Sequence, residues 1–402
     1  MDQATASPPV KSEARDPAPE RLHALDAVRG GALLLGIVYH ATISFIPTTT
    51  RFWIVEDINR SDTLAVLFFV SHVFRMTTFF LIAGFFAHMS FHRLGLGGFI
   101  KDRLTRIVVP LVVAWPFLYA ALQALIAWAA ASVDGGRPRP PPFPTFPNFP
   151  LTHLWFLYVL LELYAVTLLV RGAIAALDRS GRLRTAIDRL FAVVLRSPLA
   201  PLVFAVPITL AFAADSRWFM WFGIRTPDFS FITNAQAWAA YGTAFGVGWL
   251  LHRQIDLLQT VQRRWPLNLA LALALTALSL AIAATHLTPL LEWPIKPIGA
   301  ACYALASWTA TLAVIGLALR FLAGFSAPRR YVADASYWLY IVHLPLVVLL
   351  QIAVAQLGWP WPVKFTLILA VSFPIMLASY HWLVRYTFVG AVLNGRRLRK
   401  AA

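Results

Sequence analysis

Arg29 and His40 stand eleven positions apart inside an apolar stretch, LDAVRGGALLLGIVYHATISF. Eleven helical steps of about 100° make three turns plus ~20°, so the two side chains share one face. At ~1.5 Å rise per residue they are separated by roughly 16 Å along the axis. In a membrane-crossing helix, Arg29 then falls near one surface and His40 in the far half of the bilayer. An ionisable group at that depth costs on the order of 3 kcal/mol or more, so it marks function by default. A cation near the entrance and an imidazole beyond it suit an anionic carrier whose tip bears the reacting group. The imidazole can take a proton from a hydroxyl that attacks that group. The plain readings are a histidine hydrogen-bonded between helices and an Arg29 ion pair with Asp26, three residues back on the same face.

Further ionisable residues sit in later apolar stretches. His72 and Arg75 form an i, i+3 pair in the second. A buried arginine needs a counter-charge, and Glu162 is the acid at comparable depth, so an Arg75–Glu162 pair is expected. Glu162 shares a face with Trp155 and Tyr158, and its alternative role is to assist the base. Ser336, Tyr340 and His343 share a face at i, i+4 and i+7. His343 falls mid-membrane, where it hydrogen-bonds substrate or a catalytic partner, or only packs beside Pro345. Arg103 and Arg106 offer forks suited to phosphate, although basic flanks of a membrane helix look alike. His381 and Arg385 read as structural, Arg385 being near enough to a surface to snorkel.

The elements that must hold these groups are membrane helices. The chain of 402 residues is 59% hydrophobic and 13% charged, more apolar than a soluble protein of this length requires. Stretches of roughly 20 apolar residues recur throughout, at 25–46, 63–91, 104–133, 151–171, 198–214, 235–252, 267–286, 298–321, 332–356 and 361–388. The expected fold is all-α, a polytopic bundle of about ten transmembrane helices. Residues 1–20 read as a disordered tail, 21–390 as the membrane domain and 391–402 as a basic tail. With both termini on one side, the segments there carry 23 Lys and Arg against 7 on the other. That bias puts both termini in the cytoplasm. The net charge of +16 is spread over loops rather than gathered on one module, which excludes a nucleic-acid partner. Cys302 is the single cysteine, so there is no disulfide framework, and no metal-binding motif is present. Two loops stand out: RPRPPPFPTFPNFP, stiff and close to polyproline II, and the aromatic DSRWFMWFGIRTPDF. Both are expected on the outer side, where their rings suit a sugar or an interfacial belt.

These stretches together resemble the acyltransferase-3 family of integral membrane proteins. Beside the Arg29/His40 helix, FRMTTFFLIAGFF resembles its second-helix signature and RLTRIVVP its Arg-x-x-Arg segment. HLWFLYVLLE resembles the opening of its fourth helix, and ASYWLYIVHLPLV its late Ser-Tyr…His-Pro helix. The chain looks most like the glucan succinyltransferase type. The resemblance implies an O-acyltransferase of the inner membrane that moves an acetyl- or succinyl-type group from cytosolic acyl-coenzyme A to a hydroxyl of a carbohydrate or glycan on the outer side. Acyl-coenzyme A is then a co-substrate, with no bound cofactor, and membrane lipids surround the chain. It implies His40 as catalytic, with His343 and Glu162 as further catalytic candidates. Arg29, Arg103 and Arg106 become the donor-binding candidates. Asp26, His72, Arg75, His153, Trp155 and Tyr340 remain structural or substrate-contacting groups. The rival reading is a transporter, since midplane His, Arg and Glu also suit ion coupling. No internal repeat supports it.

Overall fold

The computed structural model describes residues 17–47, 53–133, 145–285 and 293–395. Most of the expected N-terminal tail, residues 137–144 of the proline-rich loop and the end of the basic tail lie outside the described residues. The helices are α1 (Pro17–Thr42), α2 (Asp62–Arg103), α3 (Val109–Ser132), α4 (Trp155–Leu177), α5 (Arg182–Arg196), α6 (Ala200–Ala214), α7 (Ala235–Ala237), α8 (Thr243–Arg253), α9 (Leu258–Arg263), α10 (Trp265–Thr285), α11 (Ile295–Phe321), α12 (Ala327–Val354), α13 (Trp361–Ser379) and α14 (Phe388–Asn394). Among the described residues there is no strand, only a bridge between Asn148 and Ser230. Helix therefore begins four residues inside the expected N-terminal tail, and α14 runs into the expected C-terminal one.

Every apolar stretch read from the sequence is helical. Among the described residues, seven segments are long and apolar enough to cross a membrane, which makes this a polytopic integral membrane protein. The count falls below ten for reasons visible in the chain. Asp62–Ser132 is a single 71-residue segment that holds two expected spans. It is divided by Gly95, at φ 68°, and by a wide turn at Leu104–Val108. α6 is short, and it is bent by 105° from the amphipathic α5. The stretch at 235–253 is broken into α7, a wide turn at Trp238–Gly242 and α8. Its glycines, Gln236 and His252 keep its apolarity low.

α11 is the most enclosed of the long helices, with Trp308 and Ile315 inaccessible to solvent. It packs on α10, α6, α2 and α1, while α1 lies between α12 and α2. In lipid, burial of apolar surface gives little drive for helix association, so close contact and interhelical hydrogen bonds matter more. Thr77 meets Ser307 at 2.9 Å and Thr78 meets Thr311 at 3.1 Å, joining α2 to α11. α2 and α8 cross at two glycines. A Cβ at Gly84 would stand 2.0 Å from the Phe245 carbonyl oxygen, and one at Gly248 would stand 1.8 Å from that of Leu81. Any side chain there would force the helices apart. Large apolar side chains such as Val112, Phe117, Leu169 and Leu210 stay exposed, as suits a lipid-facing surface.

The end of α1 is held firmly. Asp57 and Ser61 donate backbone N–H groups to the Ser44 and Phe45 carbonyls at 2.8 Å. Lys364 of α13 meets Asp57 at 2.7 Å with both side chains buried. Burial pushes the Asp57 carboxyl above its ordinary range, against the downward pull of Lys364. The ion pair ties the 53–61 loop to the bundle beside His40.

Candidate active site

A cavity of about 1710 Å³ opens among the helix ends and loops at the His40 end of α1. Its walls include His40, His72, Arg75, His153, Trp155, Tyr340 and His343. Four helices, α1, α2, α4 and α12, and the Thr152–Leu154 turn before α4 supply these side chains, and their sequence separations hid the grouping.

His343 and His40 are in direct contact. His343 Nε2 lies 2.9 Å from His40 Nδ1, and His343 Nδ1 lies 2.6 Å from the Tyr340 carbonyl oxygen. A carbonyl only accepts, so His343 Nδ1 carries the proton and donates it. In a neutral ring its Nε2 is then the acceptor. His40 Nδ1 must therefore carry a proton and donate it to His343. The lone pair of His40 is left on Nε2, in a ring that faces the cavity. The network thus selects the tautomer a general base needs, with a second imidazole in the orienting place that a carboxylate fills in a Ser-His-Asp triad.

The surrounding shell fixes His40 further. Trp53 stacks on it, with ring centroids 5.7 Å apart and planes at 12°. The Trp53 indole N–H donates to Gln351 Oε1 at 2.9 Å, and Gln351 Nε2 donates to the His40 carbonyl at 2.9 Å. Trp53 and Gln351 were not picked out from the sequence. Gln351 did leave a signal, as a polar residue in an apolar run eight positions after His343 on the same broad helical stripe. Trp53 left none, since it sits in a polar loop. His153 Nε2 donates to the Ile341 carbonyl at 2.9 Å, and the Tyr340 hydroxyl donates to the His153 carbonyl at 2.7 Å. His72 Nε2 donates to the Phe222 carbonyl at 2.8 Å. The remaining nitrogens of both rings, His72 Nδ1 and His153 Nδ1, are buried without a partner.

The expected Arg75–Glu162 pair is not formed. Glu162 Oε2 accepts from the Thr233 hydroxyl at 2.5 Å, and Glu162 does not line the cavity. Depth along a helix was readable, but azimuth was not, and α4 turns Glu162 toward the 225–234 loop. Arg75 instead stacks on the Tyr39 ring, 4.2 Å from its centroid. The Asp26–Arg29 pair is formed at 3.0 Å, with Arg330 also 3.0 Å from Asp26. Arg103 meets Asp102 at 2.9 Å, and Arg106 donates to the Leu393 carbonyl at 3.2 Å. None of Arg29, Arg103, Arg106 and Arg330 lines the cavity, which reaches along α1 from His40 as far as Ala32. Ser336 is spent on the Ala333 carbonyl at 2.8 Å. Arg385 lies over Tyr331 at 4.8 Å, a packing contact.

The two unusual loops meet over the cavity. The Phe149 N–H donates to the Phe229 carbonyl at 3.1 Å, and the Phe231 N–H donates to the Pro147 carbonyl at 2.9 Å. Phe149 and Phe231 stack at 4.5 Å. Asn148, Trp218, Phe219, Asp228 and Phe229 of these loops line the cavity. Burial raises the Asp228 carboxyl to about 7. Among the described residues, no group of three or more His, Cys, Asp or Glu side chains is placed to hold a metal ion.

Comparison with known proteins follows the same line. The profile of the family described as an acyltransferase domain (acyltransferase-3) matches residues 22–381. Curated relatives include proteins named glucans biosynthesis protein C from Salmonella paratyphi B and Salmonella heidelberg. Each is 30% identical over 154 residues, covering 38% of this chain and 39% of the relative. The match thus spans well under half the length of these relatives. No solved structure matches the chain.

Proposed function

The chain belongs to the acyltransferase-3 family of integral membrane proteins, and on that premise we propose that it is a membrane O-acyltransferase with His40 as its general base. The donor is a cytosolic acyl-coenzyme A, and the acceptor is a hydroxyl of a glycan reached from the opposite face. The observation that carries this reading is the relay Tyr340 C=O, His343, His40, which leaves the His40 Nε2 lone pair in a ring facing the cavity. In the reaction the acceptor hydroxyl attacks the thioester carbonyl while His40 Nε2 takes its proton. Collapse of the tetrahedral intermediate breaks the C–S bond, and the imidazolium returns the proton to the leaving thiolate. Trp53 and Gln351 keep the ring in place throughout.

The access routes fit the chemistry. The aromatic, acid-bearing opening between the 145–150 and 215–234 loops suits a sugar. The cavity descends along α1 to Ala32, within one turn of Arg29. A pantetheine arm entering from the Arg29 end has that distance to cover. The positive-inside bias supports the Arg29 end as cytoplasmic, in an inner membrane with both termini on that side. The names of the curated relatives favour a glucan acceptor.

The test uses the purified full-length chain in detergent. Thiol release from acetyl- or succinyl-coenzyme A is followed with a β-linked glucose oligosaccharide as acceptor, and the acylated sugar is identified by mass spectrometry. The parental protein is expected to transfer. His40→Ala, with an unchanged melting temperature, should lose about 10²–10⁴-fold in kcat with donor KM nearly constant. A well-folded His40→Ala protein that works at the parental rate would overturn the proposal.

A further inference from the structure

Arg75 has no counter-charge among the described residues. Its side chain is buried, and among the described residues it makes no ion pair, while its Nε has no hydrogen-bond partner. Its ionisable neighbours are Tyr39, Tyr241, Tyr303, His72, His40 and His343, none of them a carboxylate. A guanidinium held in this way is expensive unless an anion arrives. Stacking on Tyr39 offsets only part of that cost.

The position of Arg75 indicates where the anion comes. Its guanidinium reaches α1 at Gly36, where a Cβ would stand 3.2 Å from Nη1. Gly36 precedes His40 by one helical turn on the same face. Helical side chains lean toward the N-terminus, so the His40 ring projects over the Gly36 turn. The Tyr39 ring beneath Arg75 also meets His40 edge to face, with centroids 5.1 Å apart. Arg75 and His40 both line the same cavity. Gly36 therefore clears space for a cation beside the base, on the side from which a donor descends.

We infer that Arg75 is a second catalytic residue, whose guanidinium receives the oxyanion formed at the thioester carbonyl as the acceptor hydroxyl attacks beside His40. The inference rests on the reaction proposed above. As the new C–O bond forms, the carbonyl π pair moves onto oxygen and the hydroxyl proton moves to His40 Nε2. The negative charge then faces Arg75. When the C–S bond breaks, the charge passes to the thiolate and is quenched by the His40 proton. A preorganised donor of this kind acts strongly because the cation is already desolvated and needs no reorganisation.

The test compares Arg75→Met, Arg75→Lys, Arg75→Ala and Gly36→Ala with the parental full-length protein, using both acetyl- and succinyl-coenzyme A. Arg75→Met is expected to lose about 10²–10³-fold in kcat with either donor and to keep donor KM within about threefold. Its melting temperature should match or exceed the parental one, because an unpaired buried charge has been removed. Arg75→Lys should recover part of the rate. Added guanidinium ion should restore turnover to Arg75→Ala but not to His40→Ala. Gly36→Ala, which presses on the guanidinium, should lower kcat without raising KM. Parental kcat in folded Arg75→Met would overturn the inference while leaving His40 as the base. So would a loss confined to succinyl-coenzyme A, which would make Arg75 a reader of the acyl carboxylate. A drop in melting temperature with only KM changed would assign it to architecture. A parental protein that cleaves neither thioester overturns the proposed reaction itself.

Discussion

At the Arg29 end of the bundle, charges close on one another. Asp26 lies between Arg29 and Arg330, 3.0 Å from each, and Asp102 pairs with Arg103. Three histidines form a chain there too: His88 Nδ1 is 2.7 Å from His252 Nδ1, and His88 Nε2 is 3.0 Å from His92 Nε2. At the His40 end the same side-chain types are left open. Among the described residues Arg75 makes no ion pair, His72 and His153 each keep an unpartnered nitrogen, and the His40 lone pair is unused. The histidine chains show the difference most clearly. His88 bonds through both nitrogens, so the protons can run in either direction along its chain and no tautomer is favoured. The His40 chain ends on the Tyr340 carbonyl, which sets one direction. A cluster of histidines becomes a base only when something external anchors the tautomer and a cavity receives the free lone pair.

The sharpest way to break this contrast is to remove the anchor. His343→Leu removes the side-chain acceptor of the His40 Nδ1 proton, and the ring can then turn or present the wrong nitrogen. Turnover is expected to fall about 10²-fold with donor KM little changed, because a lost orienting partner acts through the base. His343→Gln, whose amide oxygen can still accept from His40 Nδ1, should recover part of the loss. Equal rates for His343→Leu and the parental protein would show that the relay does not set the tautomer.

How far the sequence revealed this arrangement depends on the direction of view. Position along a helix was legible. The Arg29 and His40 registers, the shared face of Tyr340 and His343, and all ten helical stretches followed from periodicity and apolar run length. Rotation about a helix axis was not, because lipid gives no second polar face against which to set it. Glu162 and Arg75 match in depth yet face different neighbours, Thr233 and Tyr39. Contacts across hundreds of residues were also hidden. Gln351 reaches the His40 carbonyl, and Lys364 reaches Asp57, through helix packing that no local pattern encodes. The loop pairing of Phe149 with Phe229 lies in two segments whose composition suggested contact with sugar but not with each other.

The other half of the contrast predicts a smaller effect on a different observable. His252→Leu strands His88 Nδ1 in a buried setting. Such an orphaned group costs about 1–3 kcal/mol, read as a lower melting temperature or denaturant midpoint. Turnover should stay within about threefold of parental, because this chain of rings lies outside the cavity lining. A large fall in kcat with unchanged stability would make the His88 chain part of the reaction path and erase the distinction between the two ends.

The smallest expected effect belongs to Asp228, the open acid at the His40 end. Burial raises its folded pKa to about 7, against about 3.9 for an unfolded aspartate. Between those values the folded state binds the proton that the unfolded state has released. The stabilising contribution is therefore complete below about pH 4 and is lost as pH rises through about 7. Asp228→Asn cannot ionise, so it should gain stability relative to the parental protein across that window. The difference in melting temperature should be smallest near pH 4 and level off above pH 8. Asp228 is only half-buried and lines the cavity, where water screens the charge and makes the change a modest one. A difference that stays flat with pH would mean that Asp228 ionises as it would in water. The His40 end would then hold one fewer open group than the contrast requires.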